Sequence, residues 1–184
     1  MAKRGMMLLA CGALLAGCGG SQGGDKAAGG GAKTAAADWD ATDACARLDK
    51  TAVGAALGDT VMETSLAFVH RSMGGGDAST SECTYTLASG GKATLMTRNS
   101  PIADNIPESI AMTKKTTQEM LSMLGGDSRV EDVPGLGKAA FFVPRIGQMS
   151  AFLDDSRFVV LTIDAPTPEK AKQIATDLVR KATK

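Results

Sequence analysis

Hydrophobic residues recur along this chain in two rhythms, and the switches between them divide it into elements. Between residues 42 and 58, Ala44, Leu48, Val53, Ala56 and Leu57 fall at near-helical spacing, with Asp49 placed to cap a second turn and Gly58 to end it. Two short helices or one kinked helix are expected there. Strand-like runs follow at 61–71, 81–87 and 92–98, separated by the turn signals Gly74-Gly75-Gly76 and Ser89-Gly90-Gly91. In the middle run Cys83, Tyr85 and Leu87 share one face while Thr84 and Thr86 point the other way, as a half-buried strand requires. Asn105 with Glu108 three residues on, and Pro107 in the first turn, open a helix expected over 106–124, with Gly125-Gly126 as its stop. Further strands are expected at 129–133, 139–143, 147–153 and 157–164. Thr167-Pro168-Glu169 then opens a last helix, in which Ala171, Ile174, Ala175, Leu178, Val179 and Ala182 form one apolar stripe. Helix, strands, helix, strands, helix is the order of an α+β domain, with helices packed on one face of an antiparallel sheet. The recurrence of strands after a helix hints at a helix-strands pseudo-repeat.

The first 38 residues have neither rhythm. Lys3 and Arg4 precede an apolar run from Met6 to Leu15 and the small residues Ala16 and Gly17, the order of a secretory leader. The run is too short to span a bilayer, which takes roughly 20 apolar residues. Leu15-Ala16-Gly17-Cys18 resembles the lipobox of bacterial lipoproteins. That resemblance implies cleavage before Cys18, diacylglycerol on its thiol, and acyl chains of the palmitate type that hold the product on a membrane. Residues 1–17 are then the signal peptide, and 18–38 the lipidated Cys18 with a Gly/Ala-rich tether. The stretch after Cys18 cannot bury enough apolar surface to offset its ordering entropy. As a flexible coil of about 20 residues it spans roughly 25 Å, enough to hold a domain clear of the headgroups. Gly19 and Gly20 are not the Asp that typically retains such proteins at the inner membrane of Gram-negative bacteria. The outer membrane, facing the periplasm, is the expected site, with the outer face of the plasma membrane as the Gram-positive alternative.

Composition narrows the rest. The chain has 184 residues, 43% of them hydrophobic, which suits one domain at 39–184. Loss of Lys3 and Arg4 with the leader leaves 18 basic against 20 acidic residues, a balance that argues against nucleic-acid partners. Cys11 departs with the leader and Cys18 takes lipid, so Cys45 and Cys83 remain as an even pair in an oxidising compartment, where a disulfide is expected. Their spacing is unlike the close C-x-x-C arrangement of redox catalysts.

Asp43-Ala44-Cys45-Ala46-Arg47-Leu48 with Val53-Gly54-Ala55-Ala56-Leu57-Gly58, then Cys83-Thr84-Tyr85, then Val133-Pro134-Gly135-Leu136-Gly137-Lys138-Ala139-Ala140 and a closing helix resemble a loose group of small bacterial lipoproteins of uncharacterised function. Arg47 departs from that pattern, which usually has an apolar residue there, and Lys138 stands where Asp is usual. The resemblance supports the fold and the disulfide but implies no activity.

Candidate chemistry is sparse. Gly135-Leu136-Gly137-Lys138-Ala139-Ala140 matches the letters of a dinucleotide fingerprint, yet it precedes a β-type run, and that motif must open a helix. Ser89 and Lys92 fit S-x-x-K, but the two glycines between them favour a hairpin. With His70 as the only histidine, multi-His zinc sites are ruled out. His70 with Met62, Met73, Met96, Met112, Met120, Met123 and Met149 supplies soft donors of the kind that hold Cu(I), whereas Met also fills core gaps. No catalytic residue, cofactor or metal site is expected. The leading reading is a membrane-anchored, non-enzymatic binding or interaction domain, whose partner is another envelope protein or a small apolar ligand met at a sheet face or helix-sheet cleft. An envelope copper-handling protein or hydrolase is the alternative.

Overall fold

The computed structural model describes residues 39–73, 77–123 and 129–184. The leader, Cys18, the tether and the glycines at 74–76 and 125–126 lie outside the described residues. Among the latter the order is α1 (Ala44–Arg47), α2 (Lys50–Leu57), β1 (Val61–His70), β2 (Ser79–Leu87), β3 (Lys92–Asn99), α3 (Pro107–Met123), β4 (Glu131–Asp132), β5 (Ala139–Val143), a 3-10 turn (Pro144–Ile146), β6 (Gln148–Phe152), β7 (Arg157–Thr162) and α4 (Pro168–Ala182). The seven strands form one antiparallel sheet in the order β1-β2-β3-β7-β6-β5-β4. The α+β fold expected from the sequence is the fold found.

The helical stretch near the start divides in two for a local reason. Asp43 caps α1 by accepting from the Ala46 N–H at 3.0 Å, and Asp49 caps α2 by accepting from the N–H of Thr51 at 2.8 Å. Leu48 between them is extended, and Gly58 ends α2 in the left-handed conformation at φ 68°. Asn105 behaves differently from its expected capping role. Its side-chain amide donates to the carbonyls of Asp154 and Arg157, at 2.8 and 3.0 Å, and so ties the segment before α3 to the β6–β7 loop.

The helices are not confined to one face. The main core gathers α1, α2 and α4 over Cys83, Tyr85, Leu95, Phe142, Met149, Val159 and Leu161, whereas α3 lies on the other side, where Leu121 and Ile110 pack against Phe141, Val143 and Phe152. The reason is in β5, which reads Ala139-Ala140-Phe141-Phe142-Val143 and is apolar on both faces. Strand geometry sends Phe142 to one side and Phe141 to the other, so each side needs a cover.

The strands do form two meanders, β1-β2-β3 and β4-β5-β6-β7, that meet antiparallel where β3 pairs β7. A two-fold relation through that joint would leave corresponding helices on the same face of the sheet. Since α3 and α4 lie on opposite faces, the hinted repeat stops at the strands.

Cys45 and Cys83 are joined, with Cα atoms 4.9 Å apart at a sequence separation of 38. The bond fastens α1 to the centre of β2, and closing a loop of that size stabilises the fold by roughly 3 to 4 kcal/mol through loss of unfolded-chain entropy. Replacing both cysteines with alanine is therefore expected to lower the unfolding free energy by about that amount in urea titration. A loss below about 1 kcal/mol would mean that the bond restrains little.

Candidate functional site

Three inward-facing residues of β2 capture the start of the domain. The Ser81 hydroxyl donates to the Ala41 carbonyl at 2.8 Å and accepts from the Ala44 N–H at 2.8 Å. Thr97 on β3 donates to the same Ala41 carbonyl at 3.0 Å. Cys83 holds Cys45, and the Tyr85 hydroxyl donates to the Leu48 carbonyl at 2.7 Å. Burial pushes the Tyr85 phenol up, with the Asp49 and Asp43 carboxylates adding to the effect, so it stays a donor. Trp39 is buried just ahead of this segment, its ring flanked by the guanidinium carbons of Arg47 and Arg157 at 5.4 and 5.3 Å. That contact gives Arg47 an aromatic partner inside the fold.

Lys138, the second departure, has a role of its own. Its ammonium donates to the Asn105 carbonyl at 2.8 Å and to Asp155 at 2.5 Å, which links the turn before β5 to the α3 approach and to the β6–β7 loop. Gly137 in that turn has φ 67°, and an added Cβ would come within 2.5 Å of the Phe152 carbonyl oxygen. The Gly-Leu-Gly run is thus a tight turn against the sheet that leads into β5.

The other candidates do not converge. Ser89 belongs to the β2–β3 hairpin, where its hydroxyl accepts from the Gly91 N–H at 3.4 Å, and Lys92 begins β3. Met62 and His70 stand eight residues apart on β1, a separation of roughly 26 Å along a strand. Met149 is in the core, Met112, Met120 and Met123 lie on α3, and no group of three or more His, Cys, Asp or Glu side chains gathers among the described residues.

What the fold does expose is half of one sheet face. The row Ser65-Thr84-Thr94-Thr162-Gln148 runs across five strands on the side away from α1, α2 and α4. The row beside it reads Ala67-Glu82-Met96-Val160. The apolar residues that α3 packs on belong to β5, β6 and β7, so among the described residues no helix lies on the face of β1 and β2, and α3 borders β3 only at Arg98. Hydroxyls, the Glu82 carboxylate, Met96 and Val160 let this surface offer hydrogen bonds and apolar contacts together. Clefts elsewhere are modest. One of about 380 Å³, lined by Lys92, Arg145, Ile146, Asp164 and Thr167, opens beside the start of α4. Another of about 250 Å³ lies between α3 and the sheet at Arg98, Asp104, Thr113 and Phe158. No family model, curated protein or solved structure matches the chain.

The β6–β7 loop that neighbours Trp39 is organised by Asp154. Desolvation raises the pKa of its carboxyl, but the N–H groups of Ser156 and Arg157 and the Arg157 guanidinium, at 3.0, 2.8 and 2.6 Å, outweigh it and hold the group below the usual carboxylate range. A depressed folded-state pKa contributes stability that is present above the unfolded value, near 4, and is lost as pH falls through the folded one. Asp154→Asn is expected to flatten the acid limb of the thermal midpoint measured against pH. A variant with the same acid limb as the parent would remove Asp154 from that role.

Proposed function

We propose that this chain is a membrane-anchored envelope lipoprotein, akin to the small lipoproteins it resembles, whose domain is a non-enzymatic binding module. The uncovered face of β1, β2 and β3 is the observation that carries the reading. Among the described residues no helix covers that face, and its polar side chains leave it open for contact with a partner. Its chemistry favours a protein over a small apolar ligand, because Thr84, Thr94 and Thr162 offer hydroxyls in one row across neighbouring strands. The partner is accordingly another envelope protein, met while the lipid on Cys18 keeps the domain at the membrane. The absence of the inner-membrane retention Asp after Cys18 favours the outer membrane, facing the periplasm.

Two experiments test the two halves. Cys18→Ser is expected to leave the chain unprocessed and without acyl chains. If the mutant still runs at mature mass and partitions wholly with membranes, the anchor is wrong. A photo-reactive amino acid in place of Thr84, in intact cells, is expected to give a discrete cross-linked species that the same residue at exposed Lys181 does not give. Identical patterns at the two positions would sink the assigned face.

A further inference from the structure

The domain has two ends, and the N-terminal chain joins it at one of them. His70 pairs with Thr80 and Thr80 with Arg98, so the close of β1, the start of β2 and the close of β3 lie together. Ser81 and Thr97, one position inward, hold the Ala41 carbonyl there. The Asp40 carboxyl, held low by the Thr42 hydroxyl and N–H against the opposing effect of burial, also feels the Arg71 guanidinium. The point at which 38 preceding residues attach is therefore beside the chain that leaves β1.

That corner is apolar and exposed. Phe68 is 79%, Val69 48% and Met73 92% accessible. Phe68 also has φ 50°, a left-handed conformation that a bulky side chain adopts at a cost and glycine adopts freely. The fold draws little packing from the ring, so an aromatic residue stands at a strained position with little internal use for it, a combination that points to a functional site.

We propose that Phe68, Val69 and Met73 seat in the interfacial region of the lipid bilayer and orient the domain with this end toward the membrane, an inference that rests on the lipid-anchor reading. Three side chains are too few to retain a free domain on a membrane. A lipid on Cys18, only about 20 residues ahead of Trp39 in the sequence, would keep the corner at high effective concentration at the membrane, so a weak contact is enough to set orientation. The charges nearby are balanced. Arg98 pairs with Asp104, Lys138 with Asp155 and Arg157 with Asp154, while Asp40, Asp77 and Glu82 stand against Arg71. No basic excess draws the corner to anionic headgroups, so a neutral surface is its match. In this orientation the cleft beside α4 faces away from the bilayer, and the uncovered sheet face stands upright, open to a partner from the side.

The test uses the lipidated chain in vesicles of phosphatidylcholine brominated on its acyl chains. Trp39, the only native tryptophan, is buried, so a second tryptophan reports on its own position. Phe68→Trp is expected to be quenched at least roughly twofold more than Ile146→Trp, which lies at the other end of the sheet, because an interfacial side chain sits about 5–10 Å into the headgroup and acyl boundary. Met73→Trp, free of the backbone constraint at residue 68, must behave as Phe68→Trp does. Replacing part of the phosphatidylcholine with phosphatidylglycerol should leave the quenching unchanged. If the variants float with the vesicles yet are quenched no more than Ile146→Trp, the docking is overturned while the anchor stands. Quenching that appears only with the anionic lipid overturns the apolar contact in favour of charge attraction. A chain that does not float at all removes the anchor, and this inference with it.

Discussion

The inward face of β2 is what the first third of the domain hangs from. Ser81, Cys83 and Tyr85 point to the same side at two-residue intervals, and each takes hold of the segment ahead of β1 by a different bond. The segment needs this because α1 has only four residues and α2 eight, lengths at which a helix has no stability of its own. Hydrogen bonds to the carbonyls of Ala41 and Leu48 also satisfy acceptors that burial would otherwise strand at a cost of about 1–3 kcal/mol each. Once α1 and α2 are in place, Val53 and Leu48 complete the apolar surface over which α4 lays Ala175, Leu178 and Val179. The core on that face thus depends on a polar and covalent clasp.

How much of this could be read from the residues depends on whether a signal is local. The alternation of Cys83, Tyr85 and Leu87, the caps at Asp49 and Thr167, and the stripe of α4 are local, and the corresponding elements stand where they were expected. The pair Cys45 and Cys83 was legible from compartment and parity. The face of α3 was not, although β5, apolar at five successive positions, carries the sign of a strand buried on both sides. Asn105 misled because capping chemistry and loop-locking chemistry use the same amide. Only the β6–β7 loop, some 50 residues on, decides between them. The roles of Ser81 and Thr97 as clasps are equally invisible, since the carbonyl they serve lies about 40 and 56 residues away in sequence.

The uncovered face follows from the same arithmetic of sides. Thr84, Thr86 and Thr94 alternate with Cys83, Tyr85 and Leu95, so one side of β2 and β3 is apolar and the other carries hydroxyls. The sequence pattern therefore distinguishes a half-sheet that wants one cover from a half-sheet, around β5, that wants two. Helix α3 goes where the second cover is needed. Threonine suits the exposed side because its branched side chain favours extended backbone while its hydroxyl tolerates water.

Edge protection favours a face rather than an edge as the surface for the proposed partner. β1 is a ten-residue edge strand with Leu66 and Val69 exposed, the kind of element that invites another strand. Its pairing with β2 slips between Val61 and Glu63 and again between Ala67 and His70, which leaves a regular ladder only over residues 63–67. Such irregularities bend and twist an edge out of the flat geometry that strand addition needs. At the other edge β4 has two residues, too few to template a partner strand. With both edges blunted, backbone pairing is a poor route to association at either side of the sheet. Under the proposed function, recognition therefore falls to side chains, with the threonine rows on the face as the surface for a protein and the apolar corner that the second slip creates at Phe68 as the surface for lipid.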